Sequence, residues 1–222
     1  MVDLDSALDA IAQRYNREYR GEPIDLPPEV EAMDIFREQA AGTLAPKLAS
    51  PFWELAKPKK KQICLDLGCG ISFLIYPWRE WDAVFYGQEI SSAAQEILNA
   101  RGPQLNSKLF KGVRLAPAHR LDYDGMQFDV AIATGFSCYY SLEYWERVLS
   151  AVRKVMKREG VFVFDVVDET QQAENWAILE TYLGAEVLLE PISAWKKLIK
   201  ASGARIVKEQ AGEIFRLFKV KW

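Results

Sequence analysis

Ile63-Cys64-Leu65-Asp66-Leu67-Gly68-Cys69-Gly70-Ile71-Ser72 is the stretch on which the reading of the chain turns. An apolar run of strand length, 63–67, stops at two glycines separated by one small residue. A run without alternation is a strand covered on both faces, as in a parallel sheet. Glycines directly after such a strand let a ligand approach the backbone closely. Two kinds of ligand compete for this turn. A dinucleotide wants G-x-G-x-x-G, whose last glycine lets the following helix pack on the strand while its N-terminus faces a pyrophosphate. Phe73 occupies that last place here, and Asp66 stands two residues before Gly68. A carboxylate aimed into the turn repels a pyrophosphate and suits a ligand with a positive amino group.

Downstream, Tyr86-Gly87-Gln88-Glu89-Ile90 closes the second apolar run, and Glu89 lies 19 residues after Gly70. An acid at the end of a second parallel strand accepts hydrogen bonds from both hydroxyls of a ribose. Each acid also has a plainer reading: Asp66 as a helix N-cap, Glu89 as a cap for the helix that begins at Ser91-Ser92. Turn and acids together describe a nucleoside that carries an amino acid.

Outward from the turn, strands alternate with helical stripes. Residues 63–67, 84–86, 128–133 and 161–167 read as buried strands, with a weaker candidate at 109–113. Ser92-Ala93-Ala94-Gln95 has the spacing of a capping box, and Gly102-Pro103 is expected to stop that helix. Leu142, Trp145, Val148, Leu149, Val152, Val155 and Met156 form one helical face, expected to end at Gly160. Ile192, Trp195, Leu198 and Ile199 form another, ending at Gly203. This alternation predicts a doubly wound, mostly parallel α/β sheet. The last two strands, 204–210 and 214–220, are separated by only Ala211-Gly212-Glu213, too few residues for a parallel crossover, so they pair antiparallel. That makes seven strands with one reversed. Pro77 falls inside the first expected helix and predicts a late start or a kink there.

Residues 1–60 read as a helical extension preceding a domain at 61–222. Leu4, Leu8, Ile11, Tyr15 and Tyr19 lie on one helical stripe, broken by the proline-rich stretch 22–28. Val30, Met33, Phe36 and Ala40 begin a second stripe, and a third helix is expected from about 44 to 56. So much apolar periodicity must be buried. The expectation is that 28–56 lies over the site as a lid with Met33 and Phe36 facing inward, and that 1–21 joins it, packs on the sheet's flank or forms a dimer contact. Lys57-Pro58-Lys59-Lys60-Lys61 reads as a solvated linker.

Composition narrows the function. The chain has 222 residues, 28 basic against 31 acidic side chains, a net charge of −3 and a pI near 5.4. That balance argues against nucleic acid as partner. No apolar run approaches the roughly 18 residues of a membrane span, and the acidic start Met1-Val2-Asp3-Leu4-Asp5 is unlike a signal peptide. Three cysteines (Cys64, Cys69, Cys138) and one histidine (His119) leave too little for a disulfide framework or a zinc site. A soluble, cytoplasmic protein without a metal is expected.

The turn, the second-strand acid and the terminal hairpin resemble the class I S-adenosylmethionine-dependent methyltransferases over about 60–222. Asp66-Leu67-Gly68-Cys69-Gly70 is similar to the family's first motif, which holds the methionine moiety; Glu89 is similar to its ribose acid, and Ile90 to the apolar residue packed on adenine. Two departures stand out: Ser72 replaces the third small residue of the motif, and Pro117 removes an acid that often bonds the adenine amino group. The backbone N–H of Ala118 or His119 is the expected substitute. The resemblance implies S-adenosylmethionine as cofactor, bound by Asp66, Gly68, Cys69, Gly70, Glu89, Ile90, Ala118, His119 and Thr134. It also implies methyl transfer to a small-molecule acceptor. A protein or RNA acceptor, or a non-catalytic interaction module, is the alternative.

In a direct displacement the protein mainly aligns nucleophile, methyl and sulfur. A general base is required only if the acceptor must lose a proton, and His119, Tyr139 and Glu143 are its candidates. The loop Thr134-Gly135-Phe136-Ser137-Cys138-Tyr139-Tyr140 follows the fourth strand, beside the first, where ligands of such sheets bind. The acceptor pocket is expected between the 134–143 loop, the N-terminal helices and the segment after Val167. Trp78 and Trp81 are read as packing residues.

Overall fold

In the computed structural model, which describes residues 3–44 and 52–222, seven strands form one sheet in the order β3-β2-β1-β4-β5-β7-β6. They are β1 (Ile63–Leu67), β2 (Val84–Glu89), β3 (Phe110–Leu115), β4 (Phe128–Ala133), β5 (Met156–Val167), β6 (Arg205–Ala211) and β7 (Phe215–Lys221). All pairs from β3 to β5 are parallel, while β7 runs antiparallel to both β5 and β6. The reversed strand sits where the three-residue gap requires it. The strand order reverses between β1 and β4, which opens a crevice above their C-terminal ends.

Each face of the sheet is covered, which is why its central strands need apolar residues at every position. Leu65, Leu67, Phe162 and Phe164 point to one core, with Trp145, Val148 and Leu149 of the helix Leu142–Val155. Cys64, Phe85, Ile132 and Val163 point to the other, with Phe73, Leu98 and Leu55. The first core is continuous with the N-terminal helices through Leu8, Ile11, Val30 and Ile35.

The helices are α1 (Leu4–Arg20), α2 (Pro28–Glu31), α3 (Asp34–Ala40), α4 (Phe52–Ala56), α5 (Trp78–Trp81), α6 (Ser92–Asn106), α7 (Leu142–Val155), α8 (Gln171–Tyr182) and α9 (Ile192–Ala201). α1 buries the predicted stripe and ends on Gly21, whose φ of +68° lets its N–H reach back to the last turn. The second stripe is split by a turn into α2 and α3. Of the third expected helix, 45–51 lie outside the described residues and Phe52–Ala56 is helical.

Four boundaries differ from expectation. Between β1 and β2 there is no full helix: a 3₁₀ segment, Ile71–Ile75, leads to Pro77, and only one turn of α-helix follows. The proline begins that turn rather than breaking it. α6 is capped by Ser91, whose side chain accepts from the Ala94 N–H at 3.1 Å, one residue before the expected cap. It then runs through Gly102-Pro103 to Asn106. Gly102 is needed there for space, since a Cβ would meet the Phe110 ring at 2.7 Å. α7 stops at Val155, and Gly160 lies inside β5, where the register with β4 shifts. A Cβ on Gly160 would stand 3.0 Å from the Phe128 carbonyl oxygen. α8 had no counterpart in the sequence reading. Its buried residues Ala173, Trp176 and Leu179 are interrupted by exposed Ile178 and Tyr182, so no clean stripe marks it.

Candidate functional site

A cleft of about 760 Å³, partly open to solvent, lies above the ends of β1, β2 and β4. Its floor is the glycine turn. Gly68 has φ +62°, and a Cβ there would sit 2.6 Å from the Phe136 ring, so both the backbone and the neighbour require glycine. Gly70 has φ +50° and also lines the cleft. Phe73, where a dinucleotide turn has its last glycine, is fully buried among Tyr76, Phe85 and Phe110.

Glu89 lines the cleft at the end of β2. Its Oε2 accepts the Gly70 N–H at 2.8 Å, and its Oε1 accepts the N–H groups of Ile90 and Ser91 at 2.8 and 2.9 Å. Burial raises its pKa, and those three donors act against the rise. The side chain therefore does both things considered for it: it ties the start of α6 to the glycine turn and presents a fixed acceptor to the cleft. Carboxylate oxygens have lone pairs beyond these three bonds.

Ile90, Ala118 and Thr134 line the cleft together with Ala116, Gly135 and Phe136. Asp66, Cys69 and His119 stand outside the lining. Asp66 is fully buried beneath the turn, where its carboxyl accepts the Tyr76 hydroxyl. Burial pushes its pKa up to about 8, with Glu89 adding to the rise and the Tyr76 hydroxyl opposing it. Cys69 is buried, and its thiol is pushed up by burial and by the two acids.

His119 packs edge-on against Tyr144, 5.2 Å between centroids, with Nδ1 buried and without a hydrogen-bond partner among the described residues. Burial, then Arg120 and Arg147, lower its pKa and keep it neutral. The backbone N–H groups of Ala118 and His119 face the Tyr144 hydroxyl. Glu143 is exposed, pairs with Arg147 at 3.0 Å and is not among the lining residues of the cleft.

The roof of the cleft comes from α1, through Ile11, Tyr15 and Tyr19. Met33 and Phe36 do not line the cleft; they pack against the core as partly buried residues, and α3 lies on α8. Among the described residues, the cleft-facing part of the extension is thus α1, and 45–51 of the expected lid lie outside them. Two buried polar residues of α1 hold it in place. Asn16 Oδ1 accepts the Ala93 N–H at 3.0 Å and the Ser91 and Ser92 hydroxyls at 2.8 and 3.3 Å, so α1 caps α6 from outside. Arg14 binds both oxygens of Glu180 on α8, at 2.9 and 3.1 Å, and also pairs with Glu18.

Tyr139, a base candidate, is buried behind the cleft. Its hydroxyl donates to Glu180 at 2.9 Å and receives the Tyr15 hydroxyl at 2.9 Å. The sequence reading missed Arg14, Asn16 and Glu180. They carried no motif, though two polar residues flanking the stripe positions of α1 were the available sign. The Lys57–Lys61 run forms a turn in which Lys60 pairs with Asp82 at 2.9 Å.

Residues 65–164 match a family model described as a methyltransferase domain. That stretch is 100 of the chain's 222 residues, and together with the fold it supports a methyltransferase of the class I, S-adenosylmethionine-dependent kind. A curated relative, sterol 4-C-methyltransferase strm-1 of Caenorhabditis elegans, is 26% identical over 146 residues; the match covers 64% of this chain and 40% of that protein. The fold is similar to geranyl diphosphate C-methyltransferase from Streptomyces coelicolor, with TM-score 0.69, 13% identity and 97% of each chain covered. It is also similar to magnesium protoporphyrin IX methyltransferase from Synechocystis, solved with S-adenosylhomocysteine, with TM-score 0.63 and 14% identity over 96% of this chain and 98% of that one. S-Adenosylmethionine is the cofactor of this methyltransferase family. No helix among the described residues is long and apolar enough to cross a membrane, and no cluster of three metal-ligating side chains occurs among them.

Proposed function

We propose that this chain transfers the methyl group of S-adenosylmethionine to a neutral small molecule held beneath α1. The observation that carries the reading is the cleft itself. A backbone-lined floor and a fixed acid face a roof of one aliphatic and two aromatic side chains. Its residues fit the cofactor. Gly68 and Gly70 leave room for the amino-acid portion, Glu89 offers oxygens to the ribose hydroxyls, and Ile90 offers an apolar face to the adenine. The bound cofactor supplies an electrophilic sulfonium methyl, so the chain's task is alignment and exclusion of water. Ile11, Tyr15 and Tyr19 cover the cleft, and Tyr140 and Tyr144 wall it.

A small acceptor is favoured over a macromolecule because the site lies under a docked helix, and a chain with pI near 5.4 lacks a basic footprint. The test is incubation with methyl-labelled cofactor and either a metabolite or a protein extract. Label in the small-molecule fraction is expected. Label confined to protein would reject the acceptor class, and failure of S-adenosylhomocysteine to bind in calorimetry would reject the cofactor reading.

A further inference from the structure

The one-way hydrogen-bond chain behind the roof says what kind of acceptor group the cleft takes. A carboxylate only accepts hydrogen bonds, so the Tyr139 hydroxyl at 2.9 Å must donate to Glu180. Tyr139 has then spent its one proton, and the Tyr15 hydroxyl, 2.9 Å away, must donate to it. Tyr15 in turn has spent its proton, and its oxygen keeps only acceptor capacity. Tyr15 is the member of the chain that lines the cleft; Tyr139 and Glu180 lie buried behind it.

The arrangement is held from several sides. Arg14 grips both oxygens of Glu180, lies 4.2 Å from the centroid of the Tyr15 ring, and has Glu18 as a second partner. These groups, with buried Cys138, are the titratable neighbours of Glu180 and Tyr139. Burial raises Glu180, while Arg14 and the Tyr139 hydroxyl hold it down. Burial also raises both phenols, so Tyr15 and Tyr139 keep their protons at neutral pH.

The rest of the lining adds a second constraint. Among the described residues it contains no Lys, Arg or His, and the one charged side chain there, Glu89, is held by three backbone N–H groups. A carboxylate or phosphate on the acceptor would find no cation among these described lining residues. The walls are aromatic, from Phe136, Tyr140 and Tyr144.

We propose, building on the methyl-transfer reading above, that the acceptor is a neutral ring bearing a hydroxyl that donates to the Tyr15 oxygen. Tyr139 and Glu180 are positioning residues that keep Tyr15 in the accepting sense. The experiment uses the full chain saturated with S-adenosylhomocysteine, titrated by calorimetry with 2-naphthol and with its methyl ether, 2-methoxynaphthalene. Saturation with the nucleoside checks the cofactor reading separately. The wild type is expected to bind the alcohol about tenfold more tightly than the ether, the size of one net hydrogen bond. Tyr15→Phe keeps the ring and is expected to abolish that preference. Tyr139→Phe, which touches no ligand, is expected to reduce it severalfold while leaving nucleoside affinity within about twofold. Equal binding of alcohol and ether to the wild type overturns the proposal. So does binding of neither ring, or a preference that survives Tyr15→Phe.

Discussion

The floor and the roof of the cleft are built on different principles. The floor is backbone: Gly68, Gly70 and the three N–H groups that converge on Glu89 all come from two strand ends brought side by side by the sheet. The roof is side chain. α1 is held by Arg14 to a helix 166 residues away and by Asn16 to one 77 residues away. Backbone shape is set locally by residue type, while side-chain docking depends on the finished fold. It follows that the floor should tolerate loss of the roof better than the reverse, and that damage to each should register in different measurements.

The largest expected effect is on the roof. Arg14→Met leaves Glu180 buried without its cation, and breaking one side of a buried ion pair costs about 3–5 kcal/mol. Thermal or urea denaturation should show the loss. A change under about 1 kcal/mol would mean that Glu18 and solvent carry the pair and that the roof is a loose cover.

Next comes a group beneath the floor. The Asp66 carboxyl rises from its ordinary 3.8 to about 8 on folding, so its contribution to stability is complete below about pH 4 and is lost as pH climbs through 8. Wild-type stability should fall across pH 5 to 8 by up to about 1.4 kcal/mol per pH unit from this group. Asp66→Asn mimics the neutral acid and should flatten that slope. Parallel slopes for the two proteins in denaturation at pH 5, 6.5 and 8 would contradict it.

Glu89→Ala is the floor's counterpart to Arg14→Met. Losing charge-assisted bonds of about 1.5–3 kcal/mol should weaken S-adenosylhomocysteine binding roughly tenfold to a few hundredfold. Calorimetry on the folded variant reads this directly, and unchanged affinity would reduce Glu89 to a cap for α6. The smallest effect sharpens the contrast: Asn16→Ala removes an external cap and should cost about 1–2 kcal/mol of stability. If Asn16→Ala instead costs as much as Arg14→Met, the two anchors of the roof are one cooperative unit.

Much of the floor was legible in the sequence for the same reason that it is backbone. A strand, a turn that only glycine fits and an acid at a fixed distance lie in one contiguous stretch, and the count of seven strands with one reversed follows from the spacing of runs and gaps. The roof was half legible. The stripe Leu8, Ile11, Tyr15 and Tyr19 showed that α1 must be buried, but a stripe does not say against what. The residues that answer are polar. Arg14 and Asn16 look like solvent-facing positions until Glu180 and Ala93 arrive beside them. Proline and glycine misled where tertiary packing overrode their local preference, as at Gly102 against Phe110 and Gly160 against Phe128.

The external cap on α6 also ties the opening of the cleft to a measurable clock. The Ala93 amide belongs to the first turn of its helix and has no partner within it; its hydrogen bond at 3.0 Å goes to Asn16 on α1. Its hydrogen can exchange with deuterium from solvent only when α1 lifts away. Exchange at that single amide therefore reports how readily α1 parts from the first turn of α6.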